Sequence, residues 1–235
     1  MGFESVIGRR SAGSFRETYF VEPKMSRSML VTRFKRLAAA LEEHGFKPAG
    51  PLTVVRRLPY IIQHINIQPG VTWKSNQFTC NFGWKLTVDG EETIGYAYNE
   101  RLGFLMSEGD TWFGHASREE ADEAFARVAE CIQAHVIPFL DYFDNIQAMV
   151  KAYEAAEKGN LGKLKVAGGT DPKFYFGLGR WTNWYLACAY RALDRPAKAK
   201  RYFEAVVKST KDSLDIPHVR ELYEKSLVIL EEFSR

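Results

Sequence analysis

Residues 77–88 alternate between apolar and polar side chains, and this alternation limits the possible folds more than any other feature of the chain. A period of two predicts a β-strand with one face in a core and the other toward water. An antiparallel sheet tolerates such a strand. A register shift of one residue would expose its apolar face, at about 1.5–3 kcal/mol for each large side chain, so the pairing should be strongly specified. The apolar face comprises Phe78, Cys80, Phe82, Trp84, Leu86 and Val88.

Helix and strand patterns precede and follow this strand. A helical stripe after Ser26, the predicted N-cap, predicts a first helix that ends before Gly45. Strands are predicted at 52–58 and 60–68. Asp89-Gly90 predicts a type I′ hairpin turn, with Ile94–Tyr98 returning along the sheet and further short strands between 101 and 113. The stripe of the first helix is Leu30, Phe34, Leu37 and Leu41.

From Ser117 onward the apolar pattern becomes helical. Ser117 and Glu120 form a capping box at the start of a helix that Pro138 is predicted to end. A second helix follows as far as Gly159, and amphipathic helices are predicted at 174–193, 196–208 and 217–233. The chain is therefore predicted to be α+β: an antiparallel sheet of about five strands with helices packed on one face, followed by an all-helical C-terminal region.

Three regions are predicted: an N-terminal extension at 1–24, a sheet domain at 25–158 and a helical appendage at 159–235. The best linker candidate is 165–172, which holds two glycines and a proline. Met25 or Met29 is an alternative start of the chain, since the periodic pattern begins there.

The composition limits the classes of partner that this chain is expected to bind. The 32 basic and 29 acidic residues give a formal net charge of +3, too balanced for an electrostatic nucleic-acid surface. No apolar run reaches the roughly 18 residues of a membrane span. The three cysteines are widely spaced and favour a reducing compartment over a disulfide framework. We therefore expect a cytoplasmic protein with neither a nucleic-acid nor a membrane partner.

Several short motifs resemble the bacterial domain-of-unknown-function family 4304 over residues 27–145. They include the helix ending in His44-Gly45-Phe46, the Arg56-Arg57 strand, the alternating strand from Phe78 to Leu86, Asp110-Thr111-Trp112 and Ile137-Pro138-Phe139-Leu140. The resemblance implies a small α+β domain and carries over no catalytic residues.

The start of the helical appendage is similar to one tetratricopeptide repeat. The similarity rests on Leu186 to Tyr190, followed by Ala199, Phe203 and Val206. Trp184 is displaced by one position from the usual aromatic, and Lys211 stands where a closing proline is expected. Because about three repeats are needed for an independent array, a single helical hairpin docked on the sheet domain is the prediction.

Two groups of residues are candidate binding sites. His64, Asn66 and Gln68 share one face of a strand, and Asn81 is a neighbour on the next strand; this face is either a binding surface with His64 as a general base or simply a solvated sheet surface. Aromatic residues near loops form the second group, which suits either binding or the joining of two subdomains: Trp112, Trp181, Trp184 and Tyr185.

No metal or cofactor signature is present. Cys131 and His135 share a helix face, but no further ligand pair of metal-site spacing stands nearby. The expected function is a non-enzymatic protein-binding module, adaptor or immunity-like, with a protein partner on the polar sheet face or in an aromatic cleft between sheet and helices. The alternative is a small-molecule-binding or hydrolytic enzyme using the polar face around His64.

Overall fold

The computed structural model describes residues 27–71, 74–106, 108–158 and 180–235. Across these ranges an antiparallel sheet of seven strands has helices against one face and a helical region after it, which confirms the predicted α+β class. The strands are β1 Lys47–Gly50, β2 Thr53–Leu58, β3 Ile61–Pro69, β4 Gln77–Val88, β5 Glu91–Glu92, β6 Tyr98–Arg101 and β7 Phe113–Gly114. The helices are α1 Arg27–Leu41, α2 Leu102–Leu105, α3 Arg118–Cys131, α4 Ile137–Tyr142, α5 Ile146–Glu157, α6 Arg180–Ala192, α7 Pro196–Thr210 and α8 Pro217–Glu232.

Strand β4 is the centre of the sheet. It pairs with β3 along nearly its whole length and also with β5, β6 and β7. Ile65 lies opposite Phe82 in the β3–β4 register, so both side chains point to the same face. Five of the six side chains predicted for the inner face of β4 are completely buried, whereas Val88 at the end of the strand is only half-buried. The five are Phe78, Cys80, Phe82, Trp84 and Leu86.

The hairpin after β4 has the predicted turn but a much shorter return strand. Asp89 and Gly90 both have positive φ angles, 54° and 84°, as a type I′ turn requires. The continuous strand predicted for 94–98 is wrong, because Gly95 turns the chain with a φ of 68° and pairing with β4 resumes only at Tyr98. Residues 102–105 form a short helix, not a further strand.

Helix α3 begins at the predicted cap. The Glu120 backbone N–H donates to Ser117 Oγ at 3.1 Å, and the Glu120 carboxylate accepts from the Ala116 N–H at 2.7 Å. Pro138 does not end the helical segment, contrary to the prediction. A π turn at Ile132–Val136 precedes it. In a π turn each backbone N–H bonds to the carbonyl five residues earlier, not four. The helical segment therefore continues past Pro138, although proline has no N–H for an ordinary helical hydrogen bond.

Helices α1 and α4 close the inner face. The predicted stripe of α1 is buried at all four positions. In α4, Phe139 meets Phe82 edge to face, with ring centroids 5.6 Å apart, and it also contacts Trp84 at 5.9 Å. Such aromatic pairs stabilise a core by about 0.5–1.5 kcal/mol beyond their burial.

Helices α6, α7 and α8 pack in succession, and α6 also contacts β4 and α5. Polar side chains join α5 to this region: Tyr202 donates to Glu157 at 3.0 Å, and Lys198 pairs with Glu154 at 3.2 Å. None of the helices in the described ranges is long and apolar enough to span a membrane. The predicted extension at 1–24, the Ser26 cap and the linker at 165–172 lie outside the described residues.

Candidate functional site

Three amide side chains form a hydrogen-bonded cluster on the outer face of the sheet. Asn66 on β3 lies directly opposite Asn81 on β4. The Asn81 side-chain N–H₂ donates to Asn66 Oδ1 at 2.9 Å and to Gln68 Oε1 at 3.1 Å. Asn81 is buried and Gln68 is exposed. The cluster therefore uses the Asn81 side-chain nitrogen for two bonds within the sheet face.

His64 lies on the same face but is only 4% exposed. Its Nε2–H donates to Asn99 Oδ1 at 2.9 Å, and the Tyr96 ring covers it with a centroid distance of 4.5 Å. Burial lowers the pKa of His64 to about 4; the bond to Asn99 opposes this shift and the charge of Lys85 adds to it. His64 is therefore neutral at pH 7. The interpretation of this face as a solvated surface is wrong at His64 and Asn81, which are both buried.

The lowered pKa predicts a pH dependence of stability. Because the unfolded His64 binds its proton near pH 6.5 and the folded form only near pH 4, protonation favours unfolding. The contribution of His64 to the free energy of unfolding is fully present above pH 6.5. It falls by roughly 3 kcal/mol as the pH drops toward 4. We expect urea midpoints of the wild type to fall more steeply between pH 6.5 and 4.5 than those of His64→Gln. Parallel midpoint curves would contradict the assignment of a buried neutral His64.

Trp112 borders the amide cluster. Its ring stacks against two cations: Lys74 Nζ lies 4.1 Å and Arg101 Cζ 5.2 Å from the ring centroid. Arg101 is paired in register with Asn81 and also forms an ion pair with Asp110. Slight burial raises the pKa of Asp110, but the hydrogen bond and charge of Arg101, with the charge of Lys74, outweigh it, so that the pKa is lowered. Trp112 is therefore a half-buried ring whose neighbours include both cations and a carboxylate.

A second site lies between the sheet layer and the helical region, and we call it the interlayer cleft. It has a volume of about 350 Å³. Trp181 and Tyr185 on α6 stack with centroids 6.1 Å apart, and Tyr185 donates to the Ile94 carbonyl at 3.3 Å. Tyr96 on the sheet side is 45% exposed. The lining is Gly95, Tyr96, Ala97, Tyr98, Asn99, Tyr153, Trp181, Thr182 and Tyr185.

Trp184 does not join the interlayer cleft. It is buried on another side of α6, where it meets Phe203 edge to face at 5.7 Å. The structure thus separates the four predicted aromatics into three places: Trp112 beside the amide cluster, Trp181 with Tyr185 in the cleft, and Trp184 against α7. Sequence spacing along α6 does not distinguish the surroundings of Trp181 from those of Trp184, because α6 packs against α5, α7 and β4.

Sequence reasoning missed Tyr96 and Asn99 as site residues. Both line the interlayer cleft, and both also contact His64. They link the polar sheet face to the cleft, so the two predicted sites are neighbours. The available signal was Gly95, which breaks the alternation of the predicted return strand.

No group of three or more His, Cys, Asp or Glu side chains is placed to hold a metal ion within the described part of the chain. The three cysteines are free, and Cys80 and Cys188 are buried. No protein-family model matches this chain, and comparison with curated proteins and with solved structures found no match. The resemblance to family 4304 and the similarity to a tetratricopeptide repeat stay hypotheses.

Proposed function

We propose that this chain is a non-enzymatic, cytoplasmic protein-binding module of the adaptor or immunity type, and that its partner docks at the interlayer cleft. The observation that carries the proposal is the pairing of Tyr96, 45% exposed on the sheet side, with the half-buried Trp181 on α6, across a cavity of about 350 Å³. Aromatic side chains at the edge of a pocket are typical hot spots of protein interfaces, since they offer large contact area at low entropy cost.

The polar groups in the cleft favour a partner that brings hydrogen bonds. Thr182 is only 2% exposed, and its hydroxyl has no hydrogen-bond partner in the described ranges. Asn99 is exposed and uses its Oδ1 for His64. A peptide backbone or a polar side chain next to an apolar anchor would satisfy such groups. The cleft is at the small end of cavities for drug-sized ligands, and its volume suits one or two anchoring side chains of a partner.

The alternative proposal is a small-molecule-binding or hydrolytic enzyme with His64 as base. Its support is the unpartnered Nδ1 of His64, which carries a free lone pair. A general base must reach its substrate within about 3.2 Å or through one water. Since the Tyr96 ring covers His64, this function requires Tyr96 to move aside.

The test is affinity capture from lysate of the source organism with the full chain, read by quantitative mass spectrometry. We expect Trp181→Ala to lose at least about 30-fold of the affinity for a stoichiometric partner, as at a hot spot of 2 kcal/mol or more. The control is Phe104→Ala, which removes an exposed aromatic outside the cleft. Circular dichroism would confirm that both variants are folded.

A partner that binds the wild type, Phe104→Ala and Trp181→Ala equally would contradict the cleft as the docking site. Absence of any stoichiometric partner with the folded wild type would favour the small-molecule alternative. In that case the next variant is Tyr96→Ala, which uncovers His64.

A further inference from the structure

A larger cavity, of about 500 Å³, lies on the other side of α6 from the interlayer cleft. Its walls come from the β4–β5 hairpin and from α6, α7 and α8. We call it the hairpin cavity. Its apolar walls include Val88, Ile94, Trp184, Cys188, Phe203, Val228 and Ile229. The volume falls within the range of small-molecule sites, and the apolar walls adjoin a charged rim.

The rim of the hairpin cavity carries an excess of negative charge. Arg191 bridges Asp89 and Glu232 at 2.7 and 2.9 Å. The other paired rim groups are Glu92 with Lys85 at 3.1 Å and Lys225 with Glu221 at 3.4 Å.

Two rim carboxylates are left over. Glu91 on the hairpin and Glu224 on α8 line the cavity, and neither has an ion pair within the described part of the chain. They stand on different elements at the same opening. An entering cation gains from both carboxylates, whereas an anion is repelled by them.

The floor offers one unsatisfied donor. Trp184 is 3% exposed and lines the cavity, and its indole N–H has no hydrogen-bond partner among the described residues. A buried donor left without a partner carries a free-energy cost. A ligand with an acceptor oxygen near its apolar end would remove that cost.

From these three features we infer that the hairpin cavity binds a small organic cation: an ammonium group at the rim, an apolar body in the cavity, and a carbonyl or hydroxyl oxygen that accepts from Trp184. The site is separate from the interlayer cleft and does not depend on the proposed protein partner.

The test compares two probes that share one body and differ only in the charged end group, by isothermal titration calorimetry on the full chain. N-benzoyl-1,5-diaminopentane carries an ammonium group, and 6-benzamidohexanoate carries a carboxylate on the same chain. We expect the ammonium probe to bind at least tenfold more tightly than the carboxylate probe. The double variant Glu91→Gln with Glu224→Gln should weaken binding of the ammonium probe about tenfold, since it removes both exposed carboxylates that would pair with the ammonium group.

The matched control is Glu231→Gln, which removes an exposed carboxylate from α8 outside the hairpin cavity. It should bind the ammonium probe like the wild type. The inference is overturned if the ammonium probe does not bind, if both probes bind equally, or if the double variant and Glu231→Gln behave alike.

Discussion

Replacing Phe82 with alanine is expected to lower the free energy of unfolding by about 3–5 kcal/mol. Phe82 is fully buried at the centre of β4, lies opposite Ile65 on β3 and contacts Phe139 from α4 edge to face. Truncation removes the buried ring and leaves a cavity between sheet and helix, which the packed neighbours cannot collapse to fill. The measurement is the urea midpoint and slope of each variant at pH 7.

The matched control for Phe82 is Phe104→Ala, which removes the same ring from a 48% exposed position on α2. Its cost should stay below about 1 kcal/mol. If the two variants had equal unfolding free energies, the assignment of the inner face of β4 would be wrong.

Replacing Gln63 with leucine is expected to cost about 2–4 kcal/mol. Gln63 is fully buried on β3, and its amide nitrogen donates to the carbonyls of Leu140 at 2.6 Å and Phe143 at 3.1 Å. Its amide oxygen accepts from Arg56 at 2.7 Å. Leucine has a similar volume and creates little cavity, but it leaves the Phe143 carbonyl and the part-buried Arg56 Nε–H without this partner. The Leu140 carbonyl keeps the Phe143 N–H as a donor.

The control for Gln63 is Gln147→Leu, an exposed position on α5, which should change the unfolding free energy by no more than about 0.5 kcal/mol. Thermal melts followed by circular dichroism would resolve the difference. A Gln63→Leu variant as stable as the wild type would mean that the end of α4 is not held by this side chain.

Periodicity predicted the sheet and its inner face, because the burial of alternate residues is a local property of a strand. The same alternation placed Gln63 beside Ile61 and Ile65 but gave no reason for its burial. That reason lies at the end of α4, about 80 residues away in the chain, where the carbonyls of Leu140 and Phe143 accept from its amide nitrogen. A single sequence does not show which distant groups a polar side chain will meet.

The candidate sites were predictable only as residue types. His64 and Asn66 alternate with isoleucines, which places them on one face, but the cover over His64 comes from Tyr96 after the turn at Gly95. Likewise, Trp181 and Trp184 are three residues apart on α6, yet they face different neighbours. The spacing of two residues on a helix gives the angle between their side chains. Which residues each side chain contacts depends on the packing of the whole chain.

The contact between α6 and β4 has a consequence for the order of folding. The β3–β4 and α6–α7 pairs each join segments that are adjacent in the chain, so they close short loops at small entropic cost. The docking of α6 on β4 joins segments that are separated by residues 89–179. Contacts of long sequence separation slow folding, because the chain entropy is lost before the contacts form. The β3–β4 and α6–α7 hairpins should therefore assemble first. The interlayer cleft needs α6 in place against the sheet layer, so it should form last.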